Sequence, residues 1–303
     1  MRKLLIFTVI TGIFFSCGSE PKNKKPFEGL KKEPPLIKTK NTSNLNISIL
    51  LDLSDRIDTV KYSNPSMEFY KRDVGYLKSV AEVFSNSISY KKSRHLDDKI
   101  QLYFDPEPIN TQINDLSKEL KFHISRDNGT KEYINKISDT YASIGLKIYE
   151  QALKDDNYVG SDTWGFLKNK VQDYCIDENY RNILVIITDG YIYYENNTIN
   201  EGNLSSYITP KKIRNKNLNT SNWKQLIESN KHGFIPIDQD LSNLEVLVLG
   251  VNPSKTNNYD YDVLNKYWSD WLFAMGVNEE NFEFKMADLP SNMDNIINKF
   301  ISN

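Results

Sequence analysis

The chain reads as an α/β protein built on an open, mostly parallel, twisted sheet with helices on both faces. Three observations predict this. Short apolar runs alternate with amphipathic stretches from residue 46 to 303, the order expected of a sheet wound with crossover helices. Two of those runs, 182–188 and 244–250, are apolar almost throughout, as strands covered on both faces are. Asp, Ser, Thr and Gly follow the runs at their carboxyl ends, where such sheets keep their ligands.

Taken in order, residues 46–53 form a short apolar run suited to a buried strand. Residues 66–88 carry Phe69, Val74, Leu77, Val80, Ala81 and Phe84 at helical spacing. Residues 99–104 alternate as a strand and stop at Asp105-Pro106, and 120–124 form a shorter strand. A long amphipathic helix follows over 130–153, and Ser161-Asp162-Thr163 offers caps for another that runs to Cys175. Residues 182–188 are the strongest strand of the chain. A short helix over 222–229, a core strand over 244–250 and an aromatic helix over 259–275 come next. Trp268 and Trp271 fall among its apolar positions and are expected in the core. A strand over 282–286 and a helix over 291–301 close the chain.

The amino terminus differs in kind. Arg2 and Lys3 precede an apolar run of 12 residues, Leu4 to Phe15, which has signal-peptide length and falls short of the roughly 20 residues a spanning helix needs. Phe14-Phe15-Ser16-Cys17 resembles a lipobox, with Phe14 where Leu is usual and Phe15 where a small residue is usual. The resemblance implies a leader over 1–17, lipid attachment at Cys17 and a place in the cell envelope, anchored to a bacterial membrane. Residues 18–45 hold seven Lys and three Glu among several prolines, a composition expected of a polar tether. With Cys17 committed to the anchor, Cys175 is left without a partner and is expected to pack as a small apolar side chain.

Charge excludes one class of partner. The whole chain is at −2, the leader contributes +2 and the tether +4, so the domain over 46–303 carries about −8. An acidic domain without a basic stripe is a poor ligand for nucleic acid.

The first strand ends in Asp52-Leu53-Ser54-Asp55-Arg56, the central strand in Thr188-Asp189-Gly190, and Thr163 opens a helix 26 residues before Asp189. In these residues and in the order of its elements the chain resembles the von Willebrand factor A family, a three-layer, Rossmann-like sandwich. The resemblance covers 46–303. It implies a metal-ion-dependent adhesion site in which Asp52, Ser54, Thr163 and Asp189 hold Mg²⁺, or Mn²⁺, and leave one position for a carboxylate from an acidic protein partner. Hard oxygen ligands of this kind suit Mg²⁺. The chain departs from the family at Arg56, which stands where a second Ser is usual. A guanidinium cannot ligate a cation. Either Arg56 enters the site and substitutes for the metal's charge, or it points away and Asp55 supplies another carboxylate.

Residues 190–243 are long for a strand-to-strand connection and leave from the same end of the sheet. Tyr191, Tyr193 and Tyr194 at its start are expected to join a partner-binding surface, with Lys211, Lys212 and Arg214 further along. Three function classes remain: metal-dependent adhesion, a metal-free interaction scaffold, and a metal-dependent hydrolase. No Gly-x-Ser-x-Gly elbow, Walker loop or His-Glu-x-x-His motif occurs, and His95, His123 and His232 lack ligand spacing. Binding without catalysis is therefore the expectation.

Overall fold

A computed structural model describes residues 44–302 except 156 and 159. The leader over 1–17, Cys17 and the tether as far as 43 lie outside the described residues.

Strand β1 (Asn44–Leu51) begins two residues earlier than expected, because Leu45 is buried and its N–H donates to the buried carboxylate of Asp98 at 2.7 Å. Helix α1 (Phe69–Ser89), β2 (Asp97–Tyr103), α2 (Thr111–Lys118), β3 (Phe122–Ser125) and α3 (Lys131–Asp155) follow. The sequence reading had no counterpart to α2, in which Ile113 is buried and Leu116 partly buried; two apolar positions make too short a helical stripe to read. Helices α4 (Thr163–Asn169) and α5 (Val171–Cys175) replace the single helix expected there. Lys170 between them departs from helical backbone, with φ −128° and ψ −26°.

After β4 (Tyr180–Ile187), the long connection folds into β5 (Asn200–Glu201), β6 (Leu204–Ser205), α6 (Pro210–Asn215), α7 (Trp223–Asn230) and β7 (Gly233–Phe234). Strands β5, β6 and β7 pair into a small sheet of their own. Strand β8 (Leu244–Val251), α8 (Asp260–Ala274), β9 (Phe282–Met286) and α9 (Pro290–Ser302) complete the domain.

The main sheet has six strands in the order β3-β2-β1-β4-β8-β9. All neighbours are parallel except β2 and β3. Alternation along the central strands divides the core in two. Ile47, Ile49, Val185, Ile187, Leu247 and Leu249 pack with α1, α3 and α9. Leu184, Ile186, Val246 and Val248 face the other way, onto α4, α5 and α8. These are the three layers that the strand-helix alternation predicts. Trp268 and Trp271 lie in the second core, as does Cys175, whose thiol burial pushes up to about 12. Among the described residues, no helix is long and apolar enough to cross a membrane.

The reversal of winding direction between the parallel neighbours β1 and β4 is the feature that positions the site. The chain leaves β1 toward β2 on one side and leaves β4 toward β8 on the other, which opens a crevice at the carboxyl ends of the two strands. Asp52 and Thr188–Gly190 stand at that crevice.

Candidate functional site

The loop after β1 turns back on itself at once. The Ser54 N–H donates to Asp52 Oδ1 at 2.8 Å, and residues Asp55–Ile57 form a turn of 3-10 helix. This turn carries the Arg56 side chain inward, where it is only 5% exposed. Its Nε donates to the Asp52 carbonyl oxygen at 3.2 Å and lies 3.5 Å from Asp52 Oδ2. Its Nη2 donates to Asp73 Oδ2 at 2.6 Å and to the Ile187 carbonyl oxygen at 3.4 Å.

Asp73 projects from the buried face of α1 and also accepts from the Tyr149 hydroxyl of α3 at 2.8 Å. Burial alone would push the Arg56 guanidinium down. The carboxylates of Asp73 and Asp52 outweigh it and hold the group charged. An ion pair this deep repays its desolvation only when its remaining donors and acceptors are met, and here two backbone carbonyls and the Tyr149 hydroxyl contribute.

Asp52 is committed as well. Oδ2 accepts from the Thr188 hydroxyl at 2.8 Å while Oδ1 accepts from Ser54. A divalent cation at Asp52 would have to share these oxygens with a guanidinium already among them, against its like charge. The residues present therefore do not fit Mg²⁺ or Mn²⁺ at this point. Among the described residues, no group of three or more His, Cys, Asp and Glu side chains is arranged to hold a metal ion.

Thr163 is buried at the start of α4, but its hydroxyl pairs with Ser161 Oγ at 3.4 Å, and no hydrogen bond joins it to Asp52 or Asp189. The cap of that helix is Asp162, which accepts from Gly165 N–H and from the Asn197 amide. Asp55 turns outward and pairs with Lys61 at the surface. Of the two alternatives that Arg56 left open, the geometry matches entry into the site.

Asp189 sits half-buried beside this centre, with Oδ1 accepting from the Tyr191 N–H at 3.0 Å. Burial pushes its carboxyl up to about 7, Asp52 adds to the effect, and Arg56 offsets part of it.

Above the centre opens a cleft of about 1400 Å³. Ser54, Arg56 and Asp189 lie in its wall, and Tyr191, Tyr193 and Tyr194 line it from the connection after β4. The structure thus brings the three tyrosines and the Arg56 centre to one cavity. Tyr191 is fixed by its hydroxyl, which donates to Asp260 and accepts from the Ser254 N–H at 3.0 Å. Tyr193 is 46% exposed.

Asp73 and Tyr149 are the residues that sequence reading missed. A signal was present: Asp73 lies four residues from Phe69 and four from Leu77, on the apolar stripe of its helix. A carboxylate at such a position implies a buried partner.

No protein-family model and no curated protein matches the chain. Among solved structures it is similar to a pilus adhesin, SpaC, from Lactobacillus rhamnosus GG, at 11% identity and a TM-score of 0.35. The match covers 86% of this chain and 30% of the adhesin chain, so this chain spans under a third of that protein's length. Similarity at that level carries no argument about function.

Proposed function

We propose that this chain is an envelope lipoprotein, held to a bacterial membrane through Cys17, whose α/β domain binds a protein partner in the cleft without metal and without catalysis. The observation that carries the reading is Arg56. It supplies a fixed positive charge among Asp52, Asp73 and Asp189, the place where the resemblance to von Willebrand factor A domains implies a cation. The lining supports a protein ligand. Tyr62, Ile109 and Tyr193 line the cleft while 40%, 68% and 46% exposed, and interface centres are rich in aromatic and apolar side chains. The leader and lipid anchor rest on the sequence alone.

Calorimetric titration of Mg²⁺ and Mn²⁺ into the purified chain, beside Asp189→Ala, tests the metal-free reading. No saturable heat is expected in either protein. Saturable binding in the parent that disappears in Asp189→Ala would restore the metal-dependent adhesion reading. For the partner, a photo-crosslinking residue at Tyr193 is expected to trap a discrete protein adduct in the envelope. The same residue at Leu146, exposed on α3, is expected to trap none. Equal adducts from both positions would remove the cleft as the binding surface.

A further inference from the structure

The connection between β4 and β8 carries charge opposite to that of its domain. Residues 197–234 contain five Lys and one Arg against two Glu, a net +4 within a domain of about −8. The cations are Lys211, Lys212, Arg214, Lys216, Lys224 and Lys231. Among the described residues, none of them forms an ion pair with a carboxylate.

Two of them are held together by specific bonds. Lys212 Nζ donates to Asn200 Oδ1 at 2.6 Å and stands 3.6 Å over the Tyr207 ring. Lys216 Nζ donates to the Asn203 carbonyl oxygen at 3.1 Å and lies 3.0 Å from His232 Nδ1. The Asn203 amide in turn donates to the Asn230 carbonyl oxygen at 2.8 Å, which ties the β5–β6 hairpin to the end of α7. Both ammonium groups thus flank a single hairpin, fixed by polar neighbours that offset no charge.

The electrostatics agree with that crowding. Burial, and then the charge of Lys212, push the Lys216 ammonium down. Burial, and then Lys216, push His232 down, which favours the neutral imidazole, the form that can accept from an ammonium. Like charges that act on one another disfavour their charged forms, and a shared anion relieves this. Each ammonium carries three N–H donors, and the bonds above leave some of them free. A phosphate-class oxyanion has the charge for two cations and enough oxygens to accept from both, whereas one carboxylate neutralises only one of them.

We propose that Lys212 and Lys216, supported by His232, form a binding site for a phosphate-class oxyanion on this insertion. Thr209 and Pro210 reach the cleft and the two lysines do not line it, so the site is separate from the one assigned to the protein partner. Free phosphate and the phosphoryl headgroup of an anionic lipid share this chemistry.

The test uses the full chain with Cys17→Ala, so that no lipid anchor contributes to vesicle binding. Inorganic phosphate and acetate are titrated calorimetrically, and vesicles of phosphatidylcholine alone or with phosphatidylglycerol are used for cosedimentation. The proteins compared are the parent, Lys212→Ala/Lys216→Ala, Lys212→Arg/Lys216→Arg, and a control, Lys78→Ala/Lys121→Ala, whose lysines are exposed elsewhere. Phosphate or phosphatidylglycerol is expected to bind the parent, with at least a tenfold loss in the alanine pair, retention in the arginine pair and no change in the control. Binding of phosphate without a preference for phosphatidylglycerol identifies a free anion, and a phosphatidylglycerol preference identifies the headgroup. The proposal is overturned if neither ligand binds the parent, if acetate binds as well as phosphate, or if binding survives in the alanine pair or falls equally in the control.

Discussion

Arg56 makes the sharpest case at the scale of single residues. Removing its charge leaves Asp73 buried beside Asp52 with no compensating cation. Arg56→Met is expected to lose about 3–5 kcal/mol of stability, measured as a fall in the urea midpoint. Arg56→Met with Asp73→Asn is expected to recover a substantial part of that loss, since the Asn oxygen still accepts from Tyr149 and no unpaired charge remains. If the double variant is no more stable than the single one, the centre is not held by this ion pair. Asp189 gives a pH signature. Its folded-state value, about 7, lies above the ordinary 3.8. The protonated form is therefore favoured by folding, and the stabilisation is complete below about pH 4 and lost as the pH rises to about 7. Asp189→Asn is expected to flatten this part of the stability profile and to raise the urea midpoint at pH 8. A parent profile flat between pH 4 and 7 would contradict this.

At the scale of elements, the turn after β4 is fastened to β8, α8 and β9 in the second core. Gly190 adopts φ +93°, its carbonyl accepts from Trp268 Nε1 at 2.8 Å, and its N–H donates to the Thr188 hydroxyl. A Cβ there would lie 3.2 Å from Val251 Cγ1 and 3.3 Å from Phe284 Cζ. Gly190→Ala combines left-handed backbone strain with these contacts and is expected to cost about 1–3 kcal/mol, read from thermal or urea melts. An unchanged midpoint would mean that the turn relaxes freely. The amino-terminal end of β4 is tied in another way. Arg181 on β4 makes a two-pronged ion pair with Glu245 on β8 and donates to the Ile301 and Phe300 carbonyls at the end of α9. One guanidinium thus ties two strands to the closing helix.

For the molecule as a whole, the connection after β4 is part of the core. Ile208, Ile213, Leu218, Ile227 and Phe234 belong to the second apolar cluster. Phe234 packs against Trp271 at 4.8 Å between ring centroids, and Trp164 donates to the Ile235 carbonyl at 3.0 Å. Replacing residues 195–235 with a short linker would expose that face of the sheet. The expected result is loss of the cooperative urea transition; a cooperative fold that survives excision would make the segment a dispensable loop. The same segment carries the cationic cluster and one wall of the cleft, so any function of this face depends on its being packed.

Much of this architecture was legible in the residues themselves. Continuous apolar runs such as 182–188 mark central strands because a strand buried on both faces cannot alternate with polar side chains. Stripes such as Phe69, Leu77 and Phe84 mark helices for the matching reason at period 3.6. Asp52 and Asp189 were placed near one another by the strand ends they follow. The sequence could not show how the Arg56 side chain turns, because its direction depends on a backbone turn at 55–57 and on partners 17 and 131 residues away. Nor could it show that Thr163 pairs with Ser161 or that Asp73 and Tyr149 complete the charged centre. By itself, then, the sequence determined the layers, the strand order's polar end and the residues available there, since local periodicity and burial act over a few positions. Only the tertiary structure decided which charges meet, because an ion pair is chosen by three-dimensional proximity and by the burial that makes leaving a charge unpaired so costly.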